Sequence, residues 1–100
     1  MQVKQFYNKN QFVISTEEGY YFQSYNSVVA MYYYDFEKGK HILVLGCDWC
    51  YSKTTLKHLY LFMQDYCYYN YYKLIENASN KKQAIKKLIE KGVILYSEKF

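Results

Sequence analysis

Apolar residues come in short blocks through the first half of the chain and fall at helical spacing through the second. Val3 to Tyr7 is a short mixed strand, closed by the turn signal Asn8-Lys9-Asn10. Gln11 to Thr16 carries Phe12, Val13 and Ile14 and ends at Glu17-Glu18-Gly19, where the glycine suits a tight turn into Tyr20 to Tyr25. Ser24, Asn26 and Ser27 have side chains that bond nearby backbone, so a bend or bulge is predicted there. Ser27 to Asp35 is apolar again, and Glu37-Lys38-Gly39-Lys40 is a hairpin loop leading into the strongly apolar His41 to Gly46. Strands joined in sequence by short turns predict an antiparallel meander of about four to five strands over residues 1–47, with one face buried and the other free to be wet.

From Ser52 the period changes. Leu56, Leu59, Tyr60, Met63, Tyr66 and Cys67 follow the spacing of an amphipathic helix, with Ser52 as its N-cap and Lys53, Lys57, Gln64 and Asp65 facing water. The spacing predicts a helix over about 52–68 that frays near Asn70, because consecutive aromatics lose side-chain freedom in a helix. A second helix is predicted over about 80–91. Asn80 or Ser79 caps it, Ala84, Ile85, Leu88 and Ile89 form its stripe, and Gly92 stops it. Val93 to Ser97 reads as a last short strand free to join a sheet edge. The expected fold is one α+β domain over 1–100, an antiparallel sheet packed against two helices with a short C-terminal strand.

Composition sharpens this picture. Fifteen of the 100 residues are tyrosine and none is proline. So many phenols exceed what a core of this size holds, and tyrosine is a preferred contact residue at interfaces. The best placed for exposure are Tyr32, Tyr33, Tyr34, Tyr68, Tyr69, Tyr71 and Tyr72, although alternation puts Tyr33 on the sheet face opposite Tyr32 and Tyr34. Residues 1–51 have a net charge of −1 and residues 52–100 a net charge of +5, all of the positive charge coming from lysine. Lys82, Lys86 and Lys87 would face solvent on the second helix and steer toward an acidic surface or a nucleic acid. The lack of arginine argues against bidentate phosphate or base recognition. Met1 is followed by Gln2, Val3 and Lys4 and not by an export signal, so the chain is expected in the cytoplasm, without membrane contact.

Chemistry-bearing residues are sparse. Cys47-Asp48-Trp49-Cys50 is a C-x-x-C, but it lacks the second close pair of a structural zinc site and the βαβ setting of a redox motif. His41 and His58 have no serine or cysteine partner at a recognisable spacing, and Gly19, Gly39, Gly46 and Gly92 are too scattered to cradle a phosphate. The expectation is a protein that is not an enzyme, with no catalytic residue, no metal and no cofactor.

Two segments carry a resemblance. Phe22-Gln23-Ser24-Tyr25-Asn26-Ser27-Val28-Val29-Ala30 and Gly46-Cys47-Asp48-Trp49-Cys50-Tyr51-Ser52-Lys53-Thr54-Thr55-Leu56 through Phe62 resemble a family of small proteins of phages and other mobile elements. Its members share a pattern like S-Y-x-S-x-V-A followed by W-x-Y-S-x-T-T-x-K-x-L-x-x-F. Read structurally, Trp49 and Tyr51 would pin the strand-to-helix turn into the core. The resemblance implies an inhibitor of host defence, of anti-CRISPR type, that binds a host effector nuclease complex stoichiometrically inside the host cell. A nucleic-acid-binding accessory protein, using the lysine helix and exposed tyrosines on guide RNA or DNA, is the alternative, and a homodimer is compatible with either.

Overall fold

The computed structural model describes residues 2–98. Five strands come first: β1 (Gln2–Phe6), β2 (Asn8–Ser15), β3 (Gly19–Ser24), β4 (Ser27–Asp35) and β5 (Lys40–Gly46). Helix α1 (Lys53–Tyr66), a 3-10 turn at Tyr72–Leu74, helix α2 (Lys81–Glu90) and β6 (Leu95–Ser97) follow. The strands form one open sheet in the order β1-β2-β3-β4-β5-β6, antiparallel except for the parallel β5–β6 pair. This is the α+β meander with two helices and a short C-terminal strand that the pattern predicts. Among the described residues, no helix is long and apolar enough to cross a membrane.

The boundaries differ in instructive ways. Asn8-Lys9-Asn10 is strand and not turn, and the chain reverses one residue earlier, at Tyr7, with a left-handed φ of 65°. The register slips there, Gln5 pairing with Phe12 and Phe6 with Asn8, so a bulge absorbs the residues between. Helix α1 stops at Tyr66, short of the expected fraying point, and Cys67 caps it. The run Tyr68 to Tyr72 then winds into turns, where its crowded rings have room to diverge. Asn80 caps α2 by accepting from the Gln83 amide at 3.1 Å, and Gly92 ends it at a φ of +75°.

Both helices cover the same side of the sheet. Phe22 of β3 stacks on Phe62 of α1 with ring centroids 5.6 Å apart, and Tyr66 lies against both Phe6 and Tyr20. Val13, Phe22, Leu43 and Leu45 from the sheet form one cluster with Leu59, Phe62 and Met63 from α1 and Ile85 from α2. Pairing across the strands places those sheet residues on a common face, the one the helices bury.

β6 pairs only with Val44, Leu45 and Gly46, so the upstream edge of β5 needs another partner. Tyr71 supplies it. Its hydroxyl accepts from the Leu43 amide at 3.2 Å and donates to the His41 carbonyl at 3.0 Å, bridging two backbone groups as a neighbouring strand would.

Candidate tyrosine-rimmed site

The seven tyrosines expected on the surface divide into three groups. Tyr32 and Tyr71 are corrections, because each is only 6 % exposed. Tyr32 points from β4 toward the helices, where Tyr71 meets it edge-on at 6.1 Å and Asn70 Nδ2 donates to its hydroxyl. Tyr71 is buried because its phenol completes the β5 edge. Tyr33, Tyr68 and Tyr72 are half-buried, and the Tyr68 hydroxyl is taken by Glu76 at 2.7 Å. Only Tyr34 and Tyr69 are exposed as expected. Tyr68, Tyr69 and Tyr72 do come together as a ring cluster, whereas Tyr34 packs with Phe36 and His41 beside the β4–β5 turn. On α2, Lys86 and Lys87 are exposed and Lys82 is half-buried.

Three further open phenols gather at the end of the sheet where β1 turns into β2, β3 turns into β4, and β5 leads to α1. Tyr7 is 65 % exposed, Tyr25 47 % and Tyr51 77 %. Tyr51 corrects a further expectation: Trp49 is buried, but Tyr51 projects into solvent. Successive turns, closed by Trp49 N to Gly46 O and Tyr51 N to Asp48 O, rotate the chain between the two rings, so only the first faces inward.

Tyr25 sits at the hairpin tip with a φ of +55°. A bulky side chain in the left-handed region costs about 1–2 kcal/mol, which glycine or asparagine would largely avoid. Two hydrogen bonds hold its backbone there, one on each side. Its amide donates to Asn10 O at 2.7 Å, and its carbonyl accepts from Gln23 Nε2 at 2.8 Å. Tyr7, the other left-handed tyrosine, is differently employed. Its hydroxyl donates to Asp65 Oδ2 at 2.7 Å, a bond that raises the phenol's pKa above its ordinary value and ties the β1–β2 turn to the end of α1.

Between Tyr25 and Tyr51 lies a cleft of about 600 Å³. One wall is residues 24–27 and Val29, the other Asp48, Tyr51, Ser52, Thr54 and Thr55. These are the two segments that carry the sequence resemblance, brought together from either side of β4 and β5. A hydroxyl chain welds the walls. Ser52 caps α1 by accepting from the Thr55 amide at 3.1 Å and donates to Thr55 Oγ1 at 3.1 Å, and Thr55 Oγ1 meets Ser24 Oγ at 2.9 Å in the buried floor. Thr55→Val keeps the shape and removes that link. It is expected to cost about 1–3 kcal/mol, read as a lower thermal midpoint with unchanged far-ultraviolet circular dichroism.

Gln11 pairs with Ser24 across β2 and β3 and is fully buried, and neither atom of its amide has a hydrogen-bond partner among the described residues. Burial without a partner costs about 1–3 kcal/mol. A strained tyrosine thus lines the cleft, and the unmet amide belongs to the cross-strand partner of Ser24 in its wall.

The lining supplies hydroxyls, two aromatic rims and a single carboxylate, Asp48. Such a surface can grip a polar chain by stacking and hydrogen bonding. The other candidates are dispersed. Among the described residues no three His, Cys, Asp or Glu side chains come together as a metal-ion group. Cys47 is exposed, Cys50 half-buried, and Cys67 is in the core, where burial pushes its thiol well above the ordinary value. His58 is buried with Nδ1 2.8 Å from Thr54 O on its own helix, and exposed His41 stacks on Tyr32.

Fold and site together define a small α+β protein whose sheet carries helices on one face and an aromatic-rimmed cleft at one end. The chain belongs to the family described as Family of unknown function (DUF8033), whose model matches residues 1–87. The match covers the five-stranded meander, α1 and most of α2, and ends before β6. No curated protein and no solved structure gives a significant match.

Proposed function

We propose that the protein is a non-enzymatic binding module, a phage or mobile-element inhibitor of anti-CRISPR type that attaches stoichiometrically to a host effector nuclease complex. One observation carries the reading: Tyr25 and Tyr51 stand open on both sides of the cleft, and Tyr25 holds that position at a backbone cost. Exposed, pre-positioned tyrosines bring large contact area with little entropy left to lose on binding. The inhibitor blocks a nucleic-acid channel or a conformational change of the effector. With a formal net charge of +4 it is no mimic of DNA, and the lysines of α2 steer it toward acidic protein or guide RNA.

The test is a cleavage titration. Purified protein added to a panel of CRISPR effector nucleases is expected to abolish DNA cutting by a cognate complex at about one equivalent. Tyr51→Ala is expected to weaken the complex by about 30-fold or more, the loss of a central anchor worth about 2 kcal/mol. Undiminished cutting across the panel at large excess contradicts the proposal.

The exposure of Lys86 and Lys87 favours nucleic-acid binding as a second reading. In that case affinity for single-stranded RNA or DNA falls steeply with salt, and a Lys82, Lys86 and Lys87 triple alanine variant weakens it for every sequence. A tyrosine-anchored protein complex is far less sensitive to salt.

A further inference from the structure

The side of the sheet away from the helices is apolar too. The strand register joins Val3, Ile14, Tyr21, Met31, Val44 and Leu95, one residue from each of the six strands, into an unbroken row. Residues paired across strands share a face, and these six alternate with the core-facing Val13, Phe22, Ala30, Leu43 and Leu45. None of the row belongs to the core cluster or packs against it. Val3 is 61 % exposed and Leu95 37 %, while the four between are half-buried. That is the condition of side chains that shield one another at about 5 Å with no second layer above them.

The neighbouring rows continue the character. Gln5, Phe12, Gln23 and Val28 lie on one side of it and Tyr33 and Ile42 on the other. No residue in these three rows is charged, in a chain of which 22 % is charged. At one end of this face Asp35 and Lys40 oppose each other across β4 and β5.

We propose that this face is a homodimer interface, on which a second copy of the chain packs sheet against sheet. Two features select a second copy as the occupant. A two-fold interface must be complementary to itself, and a neutral apolar face meets its own copy with no like-charge contact and no stranded ion. The area fits a small interface. Twelve residues at about 4.8 by 6.6 Å each cover about 380 Å² of sheet per copy. That gives a total of about 760 Å², the range of weak, concentration-dependent association. The sheets stack about 10 Å apart with Tyr21 and Met31, on the central strands, near the axis. The interface uses none of the cleft residues, so its success or failure is separate from that of the proposed function.

Sedimentation of the full chain over a concentration series tests the interface. The wild type is expected to sediment as a dimer, with a thermal midpoint that rises with protein concentration. Met31→Lys and Tyr21→Lys, each at a position that faces solvent in the monomer, are expected to raise the dimer dissociation constant at least about 30-fold with far-ultraviolet circular dichroism intact. The concentration dependence of the wild-type midpoint decides the matter should either variant fail to fold. A monomer at every concentration assigns the face to some other occupant and overturns the proposal. So does a dimer that both substitutions leave untouched, or open-ended assembly in place of a dimer.

Discussion

Phe62→Ala is expected to remove a large part of the protein's stability. Phe62 is fully buried where α1 crosses the sheet, stacked on Phe22 and 5.2 Å from the Tyr66 ring. Truncating such a ring costs about 3–5 kcal/mol, because transfer free energy is lost and a cavity is left that rigid neighbours cannot fill. Small domains have about 5–15 kcal/mol in all. At about 4–8 °C per kcal/mol, the thermal midpoint should fall by roughly 15–30 °C. Phe36→Ala is the control. That ring is exposed on the β4–β5 turn, and its loss should change stability by no more than about 0.5 kcal/mol. Similar midpoints for the two variants would contradict the assigned core.

Gly19→Ala is the second large effect, and its cause is backbone proximity. A Cβ at residue 19 would stand 2.2 Å from the Tyr32 carbonyl oxygen and 2.8 Å from Tyr33 Cα. Neither atom belongs to a flexible side chain, so β3 and β4 must separate where Gly19 pairs with Tyr33. The expected cost is about 2–4 kcal/mol, combining overpacking with an unfavourable φ of +156°. Gly92→Ala separates the two contributions. Its φ of +75° is left-handed, but nothing lies within 4 Å, so only the conformational cost of about 1 kcal/mol applies. Chemical denaturation of both variants should show Gly19→Ala losing at least twice as much as Gly92→Ala.

Local signals made much of the fold legible. Gly19, Ser52, Asn80 and Gly92 each mark a boundary through chemistry confined to a few residues, and each boundary is found within about two residues of its expected place. The shift from alternation to helical spacing after Gly46 separates sheet from helices. What depends on distant partners was not legible. Tyr32 and Tyr71 look like any other members of tyrosine runs, and nothing local says that one phenol will bridge His41 and Leu43 some 30 residues away. Alternation correctly divides Tyr33 from Tyr32 and Tyr34. It does not say that the helices cover Tyr32 and leave Tyr34 at the sheet's end exposed.

The cleft was half legible. Both of its walls stood out in the sequence, and the capping role of Ser52 was clear. Their meeting across the hydroxyls of Ser24 and Thr55 is tertiary. The exposure of Tyr25 did have a signal, since a tyrosine between Ser24 and Asn26 at a hairpin tip has little core within reach. Tyr51 had none, because the residue before an N-cap is as often packed onto the first helical turn as it is open to solvent.

On the proposed function, capture from the nuclease-treated lysate of a bacterium carrying such an effector, comparing wild type with a Tyr25→Ser, Tyr51→Ser double variant, tests the assignment of those two rings as anchors most directly. Wild type should retain a protein partner at near-equal stoichiometry. The double variant, with its thermal midpoint preserved, should lose that partner, while Tyr69→Ser keeps it. Equal capture by the wild type and the double variant would contradict the account.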